Sequence, residues 1–386
     1  MRLSAQLGRA GTLLVLGIAA AEVLIMISPF AGFFYASLQF GSLLEGLSTS
    51  PLTAWLDGFF LNHSAITTSR LLEWHRTLGM ALLALGLAGF VVSAAQVYGK
   101  KLTRRGVAKG FLYRLVRHPQ YLCLAVAGWG LLTIWPRFLL LGTWVTMLFL
   151  YAGLARFEER RMAGRFGDDY LGWARGRGAF LPGSPVRRLF ERIFGRLRPR
   201  AVGWATAYVV CLTLAFALGF ALRAYTRASI PILSRPEQRA VVLSVWPKPE
   251  SWMARVFDAA LADARVRARL EATRADGPVV ATILPPRYGM KGMYYTLPPG
   301  QAPDRRHGGP ELGVDPDGVD EPVEVVLSRA EKAYGGRLTL EDALDVDVRL
   351  IPLAIVEVLP ASGEVTGLRI PLPQNHWGPR VVMPVF

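Results

Sequence analysis

The chain has 386 residues, of which 52% are hydrophobic and only 19% are charged, below the roughly 25% charge of soluble domains. This apolar content excludes a disordered chain, and two cysteines exclude a disulfide-rich scaffold. The net charge of +15 is uneven, because residues 1–229 hold 26 Lys and Arg against 9 Asp and Glu, whereas residues 230–386 hold 18 against 20. We therefore predict a membrane domain at residues 1–229 and a soluble domain at residues 230–386.

Apolar runs that approach the roughly 20 residues needed to cross a bilayer occur in the first of these parts. We expect an all-α membrane domain of about five transmembrane helices. The third and fourth form a helical hairpin, because Pro136 and Arg137 interrupt one apolar run. Residues 30–60 are aromatic but broken by Pro, Gly and acidic residues, which favours an interfacial or re-entrant segment. The predicted spans are residues 11–29, 77–97, 121–135, 138–155 and 201–222.

The basic residues predict the orientation of these spans. With five spans, 21 Lys and Arg of the connecting segments fall on one side and three on the other. The basic side and the N-terminus are then cytoplasmic, and the C-terminal domain is outside. The first apolar run continues to Ile27, so we expect an anchor rather than a cleaved signal peptide. The high Arg, Ala and Gly content suggests a bacterial inner membrane, with the C-terminal domain in the periplasm. The basic loops are best explained as a topology signal with contacts to anionic lipid. No nucleic-acid-binding module accompanies the charge, so nucleic acid is not an expected partner.

Two charged clusters frame the predicted hairpin. Arg117, His118 and Tyr121 lie where the chain enters the membrane, and Glu158 and Glu159 lie where the hairpin leaves it. The hairpin therefore returns both clusters to one membrane face. Such groups suit S-adenosylmethionine: carboxylates bind its ammonium, Arg binds its carboxylate, and an aromatic face supports its sulfonium by about 0.5–2 kcal/mol. The physical chemistry allows this ligand without singling it out.

Residues 75–185 resemble the integral-membrane family of isoprenylcysteine carboxyl methyltransferases and phospholipid N-methyltransferases. The family pattern is a basic-His-Pro-x-Tyr turn, a helical hairpin, a Glu-Glu pair and a Phe-x-x-x-Tyr region that ends near a Pro. Cys123 stands where the family commonly has Gly. The resemblance implies an S-adenosylmethionine pocket on the cytoplasmic face and a lipophilic acceptor that enters from the lipid bilayer. The matching residues are Arg117-His118-Pro119-Gln120-Tyr121, Glu158-Glu159, Phe166-Gly167-Asp168-Asp169-Tyr170 and Phe180-Leu181-Pro182, with Tyr113 upstream.

The same resemblance implies the site residues. Glu159 and Arg117 are the predicted catalytic residues. On a helix adjacent side chains diverge by about 100°, so we expect one glutamate to face the pocket and the other to pair with Arg160, Arg161 or Arg117. The predicted cofactor-binding residues are Tyr113, His118, Pro119, Tyr121, Glu158, Glu159 and Tyr170.

Structural roles stay open for several of these residues. His118 can instead cap a helix or contact a phosphate headgroup, and Pro119 suits the first turn of a helix. Tyr121 and Tyr170 can be interfacial aromatics, and Arg117 can be one more inside-positive charge.

A second group of possible ligands lies on the predicted outer side. His63, Glu73 and His75 include imidazole and carboxylate groups that suit several metals. Their spacing contains no helical i, i+4 pair, so a helix start and headgroup contacts are favoured. We predict no metal site.

The C-terminal domain reads as α+β. Apolar periodicity predicts a helix over residues 249–274, and residues 298–319 read as a long loop. An aromatic and Met-rich loop at residues 288–295 suits contact with a partner, contact with the membrane, or packing within the domain. No catalytic motif is found, so a binding or assembly role with a possible protein partner is expected. The predicted strands are residues 279–284, 323–327, 350–359, 365–372 and 381–386.

Three functions follow from these observations. The first is an integral-membrane S-adenosylmethionine-dependent methyltransferase that acts on a lipid or small hydrophobic molecule. The second is a non-catalytic subunit that keeps the membrane fold and scaffolds a larger complex through its C-terminal domain. A transporter or channel subunit is disfavoured, because no internal repeat and no ionisable residue deep in the bundle is evident.

Overall fold

A computed structural model gives the fold of most of the chain. Contacts divide it into two compact units that interleave along the sequence. The helical unit takes its residues from 1–40, 75–135 and 139–218, and the mixed unit takes them from 41–74, 136–138 and 219–386. A two-domain division at residue 229 stays a prediction. The structure describes residues 21, 24–34, 46–47, 49–63, 65–103, 108–273, 277–285, 321–332, 334–371, 374–375 and 378–379.

Helices make up most of the described residues of the helical unit. The longest helix continues well beyond the predicted span at residues 138–155. It has a kink at Gly167, whose backbone is not helical (φ 49°, ψ −130°). The helices are α1 (Leu24–Phe34), α2 (Arg70–Glu73), α3 (His75–Leu102), α4 (Pro119–Ile134), α5 (Phe138–Ala174), α6 (Pro185–Phe194) and α7 (Arg200–Ala228).

Three helical stretches among the described residues are long and apolar enough to cross a membrane: Arg70–Lys100, α5 and α7. The expected count of about five is not confirmed. Helix α4 has 16 residues, which span about 24 Å of a roughly 30 Å hydrocarbon layer. It ends at Ile134 because Trp135 precedes a proline and takes a non-helical conformation. Most of the predicted span at residues 11–29 lies outside the described residues.

Glycines let helices α3 and α4 approach closely. A Cβ atom on Gly86 would lie 2.4 Å from the backbone nitrogen of Ala127, and one on Gly130 would lie 2.4 Å from that of Leu83. Backbone therefore meets backbone at this crossing, as is common where small residues line helix interfaces in membranes. This packing fixes the position of α4, the helix that begins at the basic-His-Pro turn.

The mixed unit contains the turn between α4 and α5. The Phe60 amide donates to the Pro136 carbonyl (2.8 Å), and the Phe138 amide donates to the Gly58 carbonyl (3.1 Å). Arg137 forms an ion pair with Asp57. The hairpin tip is thus bound to part of the expected interfacial segment, of which residues 46–47 and 49–60 are described.

A six-stranded sheet forms the centre of the mixed unit, in the order β1 to β6. β2 and β3 are parallel, and every other neighbouring pair is antiparallel. The parallel pair is joined through helices α8 (Glu250–Ala262) and α9 (Ala264–Thr273), since parallel strands need a crossover. The strands are β1 (Ile232–Arg235), β2 (Ala240–Ser244), β3 (Val279–Leu284), β4 (Val323–Lys332), β5 (Val348–Val358) and β6 (Val365–Arg369), with a separate pair β7 (Gln374–Asn375) and β8 (Gly378–Pro379).

Apolar residues pack against the sheet in two clusters. The first includes Met253 and Phe257 of α8 and Leu270 of α9. The second includes Ala65 and Leu344, which come from outside the sheet. The second cluster therefore joins residues that lie far apart in the chain.

The helix predicted over residues 249–274 is confirmed as two helices, α8 and α9, with a break at Asp263. Asp263 has an extended backbone (φ −70°, ψ 126°), and its carboxylate accepts a hydrogen bond from the Arg265 amide at 2.7 Å. The strand predicted at residues 279–284 coincides with β3. β1 and β2 were not predicted. The expected strand at residues 381–386 and the loops at residues 288–295 and 298–319 lie outside the described residues.

Candidate functional site

Backbone hydrogen bonds to residues 178 and 179 fix the conformation of the basic-His-Pro turn just before α4 begins. The Arg117 amide donates to the Gly178 carbonyl and the His118 amide donates to the Ala179 carbonyl, both at 2.9 Å. His118 precedes the helix and Pro119 occupies its first turn, where a missing amide hydrogen costs nothing. The turn thus directs the His118 side chain from a rigid position at the helix start.

His118 contacts both glutamates of α5. Its Nδ1 atom lies 3.4 Å from Oε2 of Glu158, and its Nε2 atom lies 3.1 Å from Oε1 of Glu159. The imidazole is buried. Each ring nitrogen therefore faces a carboxylate, an arrangement that favours the doubly protonated imidazolium.

The two glutamates differ in their other partners. Glu158 accepts a hydrogen bond from the Tyr121 hydroxyl, whereas Glu159 lies 3.1 Å from Nη2 of Arg117. The side chain of Glu158 is 45% exposed and that of Glu159 is 25% exposed. Glu159 is thus the glutamate that pairs with an arginine, while Glu158 is the more accessible of the two. Both glutamates also reach His118.

Charge and burial act in opposite directions on His118. Burial disfavours the imidazolium, but hydrogen bonds and charge from Glu158 and Glu159 outweigh it and raise the pKa of His118. The cluster of Arg117, His118, Glu158 and Glu159 therefore combines two cations with two anions. It is a charge-balanced network at the end of the hairpin.

Aromatic rings line one side of this network. His118 stacks on Tyr121 with ring centres 5.7 Å apart, and Tyr121 stacks on Tyr151 at 4.8 Å. The Phe180 ring lies 6.0 Å from that of His118. Tyr151 was not predicted as a site residue. It precedes Glu158 by seven residues, two turns of α5, so helical spacing could have placed both on one face.

Tyr113 is buried beside the network, with 4% of its surface exposed. Its hydroxyl has no hydrogen-bond partner among the described residues. Burial and the charge of Glu158 raise the pKa of Tyr113, so its hydroxyl remains a proton donor. Nε of Arg117 is likewise buried without a partner in the described part of the chain. Two donors are therefore available at this site.

Comparison with known proteins identifies the segment that carries these residues. Residues 74–169 match the family model for phospholipid methyltransferase. This segment is a phospholipid methyltransferase domain. No curated protein and no solved structure matches the chain. The predicted resemblance to the membrane methyltransferases is confirmed for this quarter of the chain, and methyltransferase activity in general follows from the family.

Helices α3, α4 and most of α5 make up the phospholipid methyltransferase domain. Tyr170 and Phe180 lie beyond the match. Tyr170 is buried against Trp173, with ring centres 5.7 Å apart, and interacts electrostatically with Glu159. Tyr170 therefore lies near the network and interacts with one of its members, Glu159.

Cys123 of the phospholipid methyltransferase domain faces a neighbouring helix. A Cβ atom on Gly89 of α3 would lie 2.7 Å from Sγ of Cys123. The glycine thus provides the space that the cysteine occupies. The departure from the family pattern at residue 123 is matched by a packing contact between α3 and α4.

Glu73, one of the three possible metal ligands, has a structural environment in the mixed unit. Its Oε1 atom accepts hydrogen bonds from the Thr67 amide (2.7 Å) and the Thr67 hydroxyl (3.0 Å). Asn62 also donates to it at 3.4 Å. Within the described ranges, no group of three or more His, Cys, Asp or Glu side chains is placed to hold a metal ion.

Proposed function

We propose that this integral-membrane protein uses S-adenosylmethionine to methylate a lipophilic acceptor that enters from the bilayer. The observation that carries the proposal is the contact of His118 with both Glu158 and Glu159. This network lies inside a segment whose family consists of methyltransferases. Two charged clusters and stacked aromatic rings thus converge where the family resemblance expects a cofactor.

The chemistry of the side chains fits this cofactor. The half-exposed carboxylate of Glu158 suits an ammonium group, and the free Nε donor of Arg117 suits a carboxylate. The unpartnered Tyr113 hydroxyl supplies a further hydrogen bond. The face of Phe180 suits a sulfonium, which aromatic rings attract, and Tyr121, which stacks on both His118 and Tyr151, holds the imidazole in place. These residues, with His118, Glu159, Pro119 and Tyr170 as support, are the proposed cofactor site.

When bound, S-adenosylmethionine supplies an electrophilic methyl group on a sulfonium. The residues of the chain then have to align the acceptor with that methyl and exclude water. Arg117 and His118 hold Glu159 ionised and fix its position beside the site. A proton released by an amine or phenol acceptor passes to a carboxylate oxygen of Glu158, the more exposed glutamate, whereas a carboxylate acceptor releases none.

Exposed apolar side chains near the network support an acceptor that arrives through lipid. Phe157 precedes Glu158 and is 66% exposed, and Leu150 on the same helix is also exposed. In a bilayer these side chains face acyl chains rather than water. A lipophilic acceptor can therefore bring its reactive end to Glu158 while its tail stays in the membrane.

The basic segments support a cytoplasmic site. The positive-inside rule assigns the side that carries 21 Lys and Arg to the cytoplasm of a bacterial cell. The N-terminus is then cytoplasmic and the C-terminal domain periplasmic. We assign that domain a role in recognition or assembly, because its described residues contain no group of metal ligands and its sequence contains no catalytic motif.

Cofactor binding tests the proposal. Purified protein in detergent should bind S-adenosylhomocysteine in a calorimetric titration. Glu158→Gln and Glu159→Gln should each weaken binding at least tenfold, because each removes a charge from the network. Glu237→Gln, at an exposed turn of the mixed unit, is the matched control and should bind normally. Absence of binding by the unmodified protein would reject the proposal in favour of the non-catalytic subunit.

A further inference from the structure

Helix α6 separates its apolar and charged side chains cleanly. At 100° per residue, Val186, Leu189, Phe190, Ile193 and Phe194 fall within an arc of about 140°. The remaining arc carries three arginines and Glu191. Such a division is typical of helices that lie at an apolar–aqueous boundary.

The apolar face of α6 has two parts. Phe190 packs on Trp204 of α7, with ring centres 5.1 Å apart, and on Phe194 at 5.6 Å. By contrast, Val186, Leu189 and Ile193 are 57%, 59% and 58% exposed. One edge of the face thus anchors the helix to the protein. The other edge presents large aliphatic side chains outward.

The anchor lies near the end of a membrane helix. Trp204 is the fifth residue of α7, and the Arg156 guanidinium lies 3.6 Å above its ring. Trp and Arg near the end of a spanning helix mark the headgroup level of a bilayer. Helix α6 therefore lies at that level, where acyl chains and headgroups are both within reach of its side chains.

The charge of this segment is strongly positive. Residues 185–200 contain six arginines and one acidic residue, Glu191, which pairs with Arg187 at 2.8 Å. Arg188, Arg192 and Arg196 are exposed and follow one another at four-residue intervals. Arg188 and Arg192 are one turn apart on α6 and Arg196 lies in the turn just after it, so the three form a cationic line that begins beside the aliphatic edge and continues past the end of the helix. An anionic headgroup complements this line and an acyl chain complements the edge, so both requirements are met by one ligand.

We propose that helix α6 lies in the plane of the membrane and binds anionic phospholipid. The side chains of Val186, Leu189 and Ile193 enter the acyl region, and Arg188, Arg192 and Arg196 contact the phosphates. Arg187 of the same helix interacts electrostatically with Glu159 of the network around His118, but the lipid-binding proposal does not depend on methyl transfer. It assigns the cationic segment before α7 a lipid ligand rather than only a role in orientation.

A binding titration tests the charge contribution. The full chain in maltoside micelles is titrated with fluorescent phosphatidylglycerol, and binding is followed by anisotropy. Because each basic residue near an anionic surface contributes about 1 kcal/mol, Arg188→Gln/Arg192→Gln/Arg196→Gln should weaken binding on the order of a hundredfold. The control Arg255→Gln/Arg265→Gln/Arg337→Gln removes the same charge from exposed positions elsewhere. Equal binding by the two triple variants, or equal binding of phosphatidylcholine, would overturn the proposal.

Fluorescence quenching tests the position of the helix. In a Cys123→Ala/Cys211→Ala background, bimane is attached at Leu189→Cys or, as control, at Arg192→Cys, and the full chain is placed in nanodiscs with phosphatidylglycerol. Doxyl-labelled lipid should quench the label at 189 at least threefold more than the label at 192, and aqueous iodide should show the reverse order. Strong iodide quenching at 189 would reject membrane insertion and point to a protein partner for this face.

Discussion

The imidazole of His118 is bound to Glu159 across 41 residues of chain, with Nε2 of the histidine 3.1 Å from Oε1 of the glutamate. Both residues also contact a second charged group: His118 contacts Glu158, and Glu159 contacts Arg117. Alternating charges in a largely buried site stabilise each other, and removal of one leaves its neighbours without a partner. The ends of the hairpin are therefore linked by charge.

This link predicts a pH dependence of stability. The pKa of His118 in the folded protein is above its ordinary value of 6.5. Its contribution to the free energy of unfolding is therefore fully present below about pH 6.5 and is lost as the pH rises through the folded-state pKa. Thermal unfolding in detergent from about pH 6 to pH 9 should show this decline. His118→Gln should flatten it, and an unchanged slope in that variant would contradict the assignment.

Substitution of Tyr113 and Tyr121 by Phe should distinguish a role in ligand binding from a role in folding stability. Tyr113→Phe removes a hydroxyl without a partner among the described residues, so the free energy of unfolding should change by less than about 0.5 kcal/mol. Tyr121→Phe removes a hydrogen bond to Glu158 and should lower it by about 1–2 kcal/mol.

Binding of S-adenosylhomocysteine to the same two variants completes this test. Tyr113→Phe should weaken binding by about fivefold, since one hydrogen bond contributes about 1 kcal/mol. Denaturant unfolding and calorimetry provide the two measurements. A destabilised Tyr113→Phe protein with normal affinity would assign Tyr113 to the fold rather than to a ligand.

The contact between Gly89 and Cys123 predicts a rescue by double mutation. Gly89→Ala places a methyl group 2.7 Å from Sγ of Cys123 and should destabilise the protein by about 1–3 kcal/mol. Cys123→Gly in the same chain should recover most of this loss. Gly99→Ala is the control, because a Cβ atom there meets no described atom within 4 Å. Additive losses in a double-mutant cycle would show that the two residues do not share this space.

Arg223 is expected to stabilise the hairpin tip. Its guanidinium donates to the Phe59 carbonyl (2.5 Å) and to the Leu344 carbonyl (3.0 Å). Lys presents one charged nitrogen in place of a fork, so Arg223→Lys should lose one of these bonds and about 1–2 kcal/mol. Hydrogen exchange of the Phe60 and Phe138 amides, which bond across the tip, should accelerate about tenfold. Exchange at the unmodified rate would exclude this role.

Much of the candidate site could be predicted from the sequence. The motifs and the hairpin were sufficient to place His118 near Glu158 and Glu159. Which glutamate pairs with Arg117 and which accepts a hydrogen bond from Tyr121 was not predictable, because it depends on the rotation of α5 and on the position of Arg117. Tyr151 was missed since a lone tyrosine in an apolar span resembles packing, although its spacing from Glu158 places both on one helical face.

The fold was less predictable where long-range contacts decide it. β3 was predicted from its own β-branched run, whereas β2 is only five residues long and buried throughout. Buried strands lack the alternation that marks half-exposed ones, so a short run is ambiguous. The break at Asp263 depends on one side chain that caps α9, a local choice that apolar periodicity does not record.

The mixed unit is built from three separate segments of the chain, so a single cut in the chain cannot separate it from the helical unit. Ala65 and Ile66 join apolar clusters of the sheet, and Phe60 bonds to Pro136, although both segments precede the sheet in the chain by more than 90 residues. A protease cut or gene truncation after residue 229 would leave these side chains behind without their core, and would deprive the released fragment of them. No single scission can therefore yield two intact pieces from this polypeptide.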